Sequence, residues 1–119
     1  MRQGSGVILI FGGEGEPMRD YSLGRTLVAF HAQETIRRQL ACELGPHGVR
    51  VITVVTGGIP ETIGDDVDPA VVQGIVDATM IGKAATYEDV GNVAVFAASD
   101  QARMMTAATL NISGGSVID

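Results

Sequence analysis

The sequence predicts an α/β fold with a small parallel sheet, and three observations carry that prediction. The runs Val7-Ile8-Leu9-Ile10-Phe11 and Val49 to Val55 are rich in β-branched residues. The first is continuous and does not alternate, as expected of a strand buried on both faces between helices. Between the two runs lies a helical pattern: Ala29, Ala32, Ile36, Leu40 and Leu44 recur at spacings of three and four and form one apolar stripe. Glycine occurs 16 times in 119 residues, about twice average usage of roughly 7%. Such usage suits turns that need close backbone approach.

Each element has its own local signals. Gly4-Ser5-Gly6 is a turn that opens the first strand, and Gly12-Gly13-Glu14-Gly15-Glu16-Pro17 closes it in a loop. The long helix runs from about Leu23 to Leu44, and Gly45-Pro46 stops it. Val49, Val51 and Val54-Val55 make the second strand, followed by the loop Thr56-Gly57-Gly58-Ile59-Pro60. Asp68 and Pro69 read as an N-cap and first helical position for a short helix near Ala70 to Thr79. Thr86 with Asp89 three residues on is a capping-box start for a helix to about Ala98. Thr109 to Ile112 is the last strand, broken by Gly114-Gly115. The whole of 1–119 reads as a single partial domain of about three strands, one long helix and one or two shorter ones.

Composition narrows the function classes. An apolar fraction of 45% with 18% charge predicts a folded core. The net charge of −6 argues against a nucleic-acid backbone or an anionic membrane as partner. The longest apolar run is too short to span a bilayer, and no secretion-type segment is recognised. Cys42 is the single cysteine and no Cys/His cluster has zinc spacing. These features suggest the reducing cytoplasm, and no metal site is expected.

Four stretches, in order, resemble the short-chain dehydrogenase/reductase family. Leu40 to Val51, with Glu43-Leu44-Gly45-Pro46-His47-Gly48-Val49-Arg50-Val51 at its heart, is similar to the family's helix-to-strand junction. Thr56-Gly57-Gly58-Ile59-Pro60-Glu61-Thr62 resembles its Pro-Gly-x-Ile loop, which touches the nicotinamide. Glu88-Asp89-Val90 with Phe96-Ala97-Ala98-Ser99-Asp100 is similar to its penultimate helix, and Asn111-Ile112-Ser113-Gly114-Gly115 to its closing strand. The resemblance implies the C-terminal half of a Rossmann-like, doubly wound parallel sheet. It implies an oxidoreductase that uses NAD or NADP when full-length. By that resemblance Gly57, Gly58, Ile59 and Thr62 are the candidate cofactor-binding residues. Thr56 replaces the family's usual proline, and Thr62 sits one place later than its usual threonine.

The departures are as informative. The family holds the pyrophosphate on a glycine-rich turn near its first strand. The nearest match here, Gly13-x-Gly15-x-x-Met18, has methionine for the third glycine and Pro17 inside it, so it reads as an ordinary loop. Counting back from Glu43 along a continuous helix places the family's catalytic tyrosine at Thr26, its lysine at Phe30 and its serine at Gly12 or Gly13. None of these side chains supplies the proton relay or the ribose donor. Tyr21 and Arg25 imitate the Tyr-x-x-x-Lys spacing but lie five residues early. On a helix that is about 140° of net rotation and roughly 7.5 Å of rise. No residue is therefore assigned as catalytic.

Other candidates read as structural. Asp65, Asp66 and Asp68 form an acidic loop without calcium-loop spacing. His31 and His47 read as surface or packing residues, Cys42 as a small core or interface side chain, and Met104-Met105 as filling the end of a helix. Two readings follow. One is a truncated or degenerate oxidoreductase, inactive as a lone chain. The other is a non-catalytic oligomerising or ligand-binding module, whose first strand lacks an outer neighbour and needs a partner: a second copy or a separate N-terminal half. A flavodoxin-like binding domain is a third, weaker reading.

Overall fold

The computed structural model describes residues 4–12 and 24–119. Its order is β1 (Gly6–Gly12), α1 (Gly24–Leu44), β2 (Val49–Thr56), α2 (Pro69–Asp77), α3 (Tyr87–Ala98) and β3 (Ala108–Ile112). The strands form one sheet in the order β1-β2-β3, with both pairings parallel. Gly6 to Gly12 lie opposite Val49 to Val55, and Ile52 to Thr56 lie opposite Ala108 to Ile112. This is the predicted α/β architecture, and parallel neighbours joined through a helix take the right-handed crossover.

The core sits on β2. Val51, Ile52 and Val54 are wholly buried and Val55 nearly so, with Ala41 of α1 and Ala97 of α3 closing over them. Thr53 points to the α1 face, where its hydroxyl donates to Glu34 Oε2 at 3.2 Å. Arg50 points to the opposite face. Its guanidinium donates to the carbonyls of Ala97 (2.8 Å), Ser99 and Met105 (both 3.2 Å). It thus takes up carbonyls that the end of α3 leaves open and complements that helix's negative pole.

Three expectations about packing are corrected. β1 is not buried on both faces: Ile8 is 37% and Phe11 57% exposed. Its outer edge has no strand beside it among the described residues. The stripe on α1 does not face the sheet, since Ala29, Ala32 and Ile36 are exposed, and Leu40 and Leu44 only half-buried. The sheet-facing side of α1 instead holds Glu34, Arg37 and Ala41, with Arg37 only 4% exposed. Cys42 and Met104 are exposed and fill no core; Met104 follows a short 3₁₀ turn, beyond the end of α3.

The local capping signals form as predicted. Asp68 accepts from Ala70 N–H at 2.9 Å at the start of α2. Thr86 and Asp89 exchange both capping-box bonds at the start of α3. These bonds hold the Asp89 carboxyl below the ordinary aspartate value: the Thr86 N–H is the largest cause, then the Thr86 hydroxyl, with the Lys83 ammonium adding a smaller pull. Among the described residues no helix is long and apolar enough to cross a membrane.

Candidate functional site

β2 ends at Thr56 on the carboxyl edge of the sheet, the edge where open α/β sheets bind ligands. Gly57, Gly58 and Ile59 leave that edge and enter a single 3₁₀ turn, Pro60–Thr62. A side chain at Gly57 would collide with Ser116 Oγ, and one at Gly58 would lie 2.9–3.0 Å from Ile75 of α2. Both glycines are therefore required by close approach of the chain's own loop and helix. The Thr62 hydroxyl donates to the Ile59 carbonyl at 2.7 Å, and the Thr62 N–H donates to the same oxygen. Its hydroxyl proton is thus engaged within the turn.

The loop is held from outside as well. Glu61 Oε1 accepts from the Tyr87 N–H at 3.0 Å, which fastens the turn to the first residue of α3. A carboxylate there is favoured by the helix dipole. The segment after β3 closes the other side. Asn111 accepts from Ser113 N–H and donates to the Val117 carbonyl, while the Gly114 carbonyl accepts from Met80 N–H (2.8 Å) and Ile81 N–H (3.2 Å). Gly115 has φ +89° with Met80 packed against the space a side chain would need, so only glycine fits there without strain.

A hollow of about 600 Å³ lies beside this assembly, between the start of α3, β3 and the α2–α3 connection. Lys83, Thr86, Asp89, Asn92 and Asn111 contribute its polar lining. Gly57, Gly58, Ile59 and Thr62 do not line it.

The positions to which the sequence resemblance assigns the family's chemistry lie across the sheet, on β1 and α1. Gly12 ends β1, Thr26 is exposed on the first turns of α1 and Phe30 is half-buried one turn on. Gly13, the Gly13-to-Met18 run and Tyr21 lie outside the described residues. A side-chain carbon at Gly12 would meet the Thr53 methyl at 3.0 Å and Glu34 Oε1 at 3.8 Å. Glu34 Oε2 is bound by Arg37 Nε at 2.5 Å and by Thr53. Arg37 Nη1 and Gln33 Oε1 are buried without a hydrogen-bond partner among the described residues. His31, His47, Asp65 and Asp66 are exposed.

A family model described as enoyl-(acyl carrier protein) reductase matches residues 1–116. The chain belongs to the short-chain dehydrogenase/reductase family. It is 36% identical to 2,5-dichloro-2,5-cyclohexadiene-1,4-diol dehydrogenase LinX of Sphingobium indicum, over 71% of this chain and 34% of that protein. It is 28% identical to the inactive 2-(S)-hydroxypropyl-CoM dehydrogenase 2 of Xanthobacter autotrophicus, over 92% of this chain and 50% of that protein. A 7 alpha-hydroxysteroid dehydrogenase solved with NADH superposes with a TM-score of 0.85 at 24% identity, over 99% of this chain and 47% of that one. The chain thus spans about a third to a half of the length of the relatives it matches.

Gly12 and Phe30 carry no polar side-chain group, and the exposed Thr26 carries an aliphatic hydroxyl. Two connections escaped the sequence reading. Arg50 stands in the sequence only as part of a motif, and its three carbonyl partners lie 47 to 55 residues away. Glu61 stands one residue before the expected ligand-binding threonine, and only the fold brings it to Tyr87.

Proposed function

We propose that this chain is the C-terminal part of an NAD(P)-dependent oxidoreductase of the short-chain dehydrogenase/reductase type, unable to transfer hydride by itself. The observation that carries this reading is the pairing of a complete β2–β3 scaffold with Gly12, Thr26 and Phe30 at the catalytic positions. The scaffold supplies the Gly57-Gly58-Ile59 backbone at the sheet edge, and we assign any nicotinamide contact to that loop. Thr62, whose hydroxyl proton is bonded to Ile59, contributes less than its family position implies. Phosphate binding, and the choice between NAD and NADP, require groups supplied by another segment. The proposed setting is the cytoplasm, with a second copy or an N-terminal half covering β1.

The test is the consumption of NADH and NADPH by the purified chain against a panel of ketones, aldehydes and quinones. Absorbance at the reduced nicotinamide band should fall no faster than in buffer. Saturable turnover that persists through repurification and disappears in Tyr21→Phe would show that a different tyrosine does the chemistry, and would overturn the reading.

The alternative of a ligand-binding module has its own support in the hollow beside Asn92 and Asn111. Reduced nicotinamide mononucleotide separates the two. Binding lost in Gly58→Val but kept in Asn92→Leu favours the nicotinamide loop. The opposite pattern favours the module.

A further inference from the structure

We propose that the hollow between the α2–α3 connection, α3 and β3 binds a small zwitterion, an apolar α-amino acid. The inference rests on the ligand-binding alternative above and names its ligand class. It is independent of the nicotinamide loop, since Gly57, Gly58 and Ile59 do not line the hollow. Two opposite charges carry it. Lys83 and Asp89 both line the space, yet the ion pair formed among the described residues is that of Glu34 with Arg37, not theirs. The Lys83 ammonium is still near enough to add to the pull of Thr86 on the Asp89 carboxyl. The two charges therefore stand apart, each within reach of what enters between them.

The remaining polar groups show what is left open. Asp89 Oδ2 accepts from the Thr86 N–H at 2.9 Å and from its hydroxyl at 3.0 Å, so Oδ1 is the oxygen left for a donor. The start of α3 is already closed: the Tyr87 N–H donates to Glu61 and the Asp89 N–H to Thr86. Asn111 is engaged by Ser113 and Val117. Asn92, on the face of α3 that carries Asp89, has no hydrogen bond among the described residues, and its carboxamide both donates and accepts. One ammonium, one carboxylate oxygen and one carboxamide thus remain.

That set selects the ligand. A simple anion would meet Asp89 in a chain whose net charge is −6, and a simple cation would meet Lys83. A zwitterion answers both: its carboxylate accepts from Lys83, and its ammonium donates to Asp89 Oδ1. Ile81, Val93 and Ile112 supply the apolar lining, with Ile81 65% exposed until a side chain covers it. The volume of about 600 Å³ lies within the roughly 300–1,000 Å³ of small-ligand sites. The wall is set in advance, because the Gly114 carbonyl holds the N–H groups of Met80 and Ile81. Its polar residues are exposed to water, so the affinity is weak, on the order of millimolar.

Titration of the purified chain with L-leucine, followed by the NMR signals of its backbone amides, tests this. Saturable shifts are expected from Ile81 to Val93 and at Asn111 and Ile112. Isocaproate, which lacks the ammonium, and L-leucinamide, which lacks the carboxylate, should each bind about 10-fold more weakly, the loss of one hydrogen bond to a charged group. Lys83→Met should cost L-leucine the same factor and leave L-leucinamide unchanged. Asp89→Asn should weaken L-leucine and spare isocaproate; thermal melts by circular dichroism establish folding, and exposed Lys83 carries the test if the cap variant unfolds. Absence of saturable shifts, equal binding of L-leucine and isocaproate, or indifference to Lys83→Met overturns the proposal. Shifts that follow protein concentration and ignore L-leucine also overturn it, by showing a second copy in the hollow. Reduced nicotinamide mononucleotide added to the leucine-loaded chain should move the Gly57 to Ile59 amides instead, so the two readings fail separately.

Discussion

The two edges of the sheet differ in how completely they are built. On the β2–β3 side the central strand is buried from Val51 to Val55, Arg50 collects three carbonyls of and beyond α3, and the glycine loop after β3 is tied to the connection before α3. On the β1–α1 side a very apolar strand is half-exposed, and the helix covering it turns a polar cluster inward and an apolar flank outward. Family motifs concentrate on the built side, and the departures at Gly12, Thr26 and Phe30 fall on the other. The contrast teaches that the two sides of one small sheet are held differently, by buried apolar side chains and long-range hydrogen bonds on one and by a buried ion pair on the other.

The largest expected effect probes the inward face of α1. Glu34→Ala leaves Arg37 without its ion-pair partner in a buried setting, and should cost about 3–5 kcal/mol in urea denaturation. The double change Glu34→Leu with Arg37→Met, which removes both charges together, should be close to neutral by the same measurement. A mild effect of the single change would mean that the pair is better solvated than its burial indicates.

The next pair compares the two sides with similar chemistry. Ile52→Ala in the centre of β2 should cost about 2–5 kcal/mol. Ile36→Ala, on the 53% exposed outer face of α1, should stay within about 0.5 kcal/mol. Equal losses would erase the distinction between built and unbuilt sides. Arg50→Met comes next: it abandons the carbonyls of Ala97, Ser99 and Met105, and should cost about 1.5–3 kcal/mol.

Smallest is the cap on α3. Thr86→Ala should cost about 1 kcal/mol. Because Thr86 depresses the Asp89 carboxyl, its contribution is present above the ordinary aspartate value of 3.8 and is lost as pH falls through the lower, folded value. An acid titration of stability should therefore be flatter in Asp89→Asn than in the wild type, within this acid window. An unchanged profile would remove Asp89 from the acid response.

Elements with local causes were legible in the sequence. Asp68 and Thr86-to-Asp89 begin helices because their bonds close within three residues. The β-branched runs became strands for the same reason of local preference. The orientation of α1 was not legible. Ala29, Ala32, Ile36, Leu40 and Leu44 have helical spacing whichever neighbour they face, and nothing in that period says that Glu34 and Arg37 satisfy each other against Thr53. The Val7–Phe11 run correctly announces a strand that needs cover on both faces, but a run cannot say whether the cover is present. In the candidate site, the Gly57-Gly58-Ile59 loop was found by its motif. Its fastening by Glu61 to Tyr87, and the occupation of its glycine spaces by Ser116 and Ile75, depend on contacts between distant segments.

Amide hydrogen exchange on the purified chain tests the central contrast most directly. Val51 to Val55 should exchange only with global unfolding, and Ile8 and Ile10 should be protected through their bonds to β2. Val7, Leu9 and Phe11, in the same strand, should exchange orders of magnitude faster. Protection at Val7, Leu9 and Phe11 equal to that of β2 would contradict the account, because it would show the outer edge of β1 already covered.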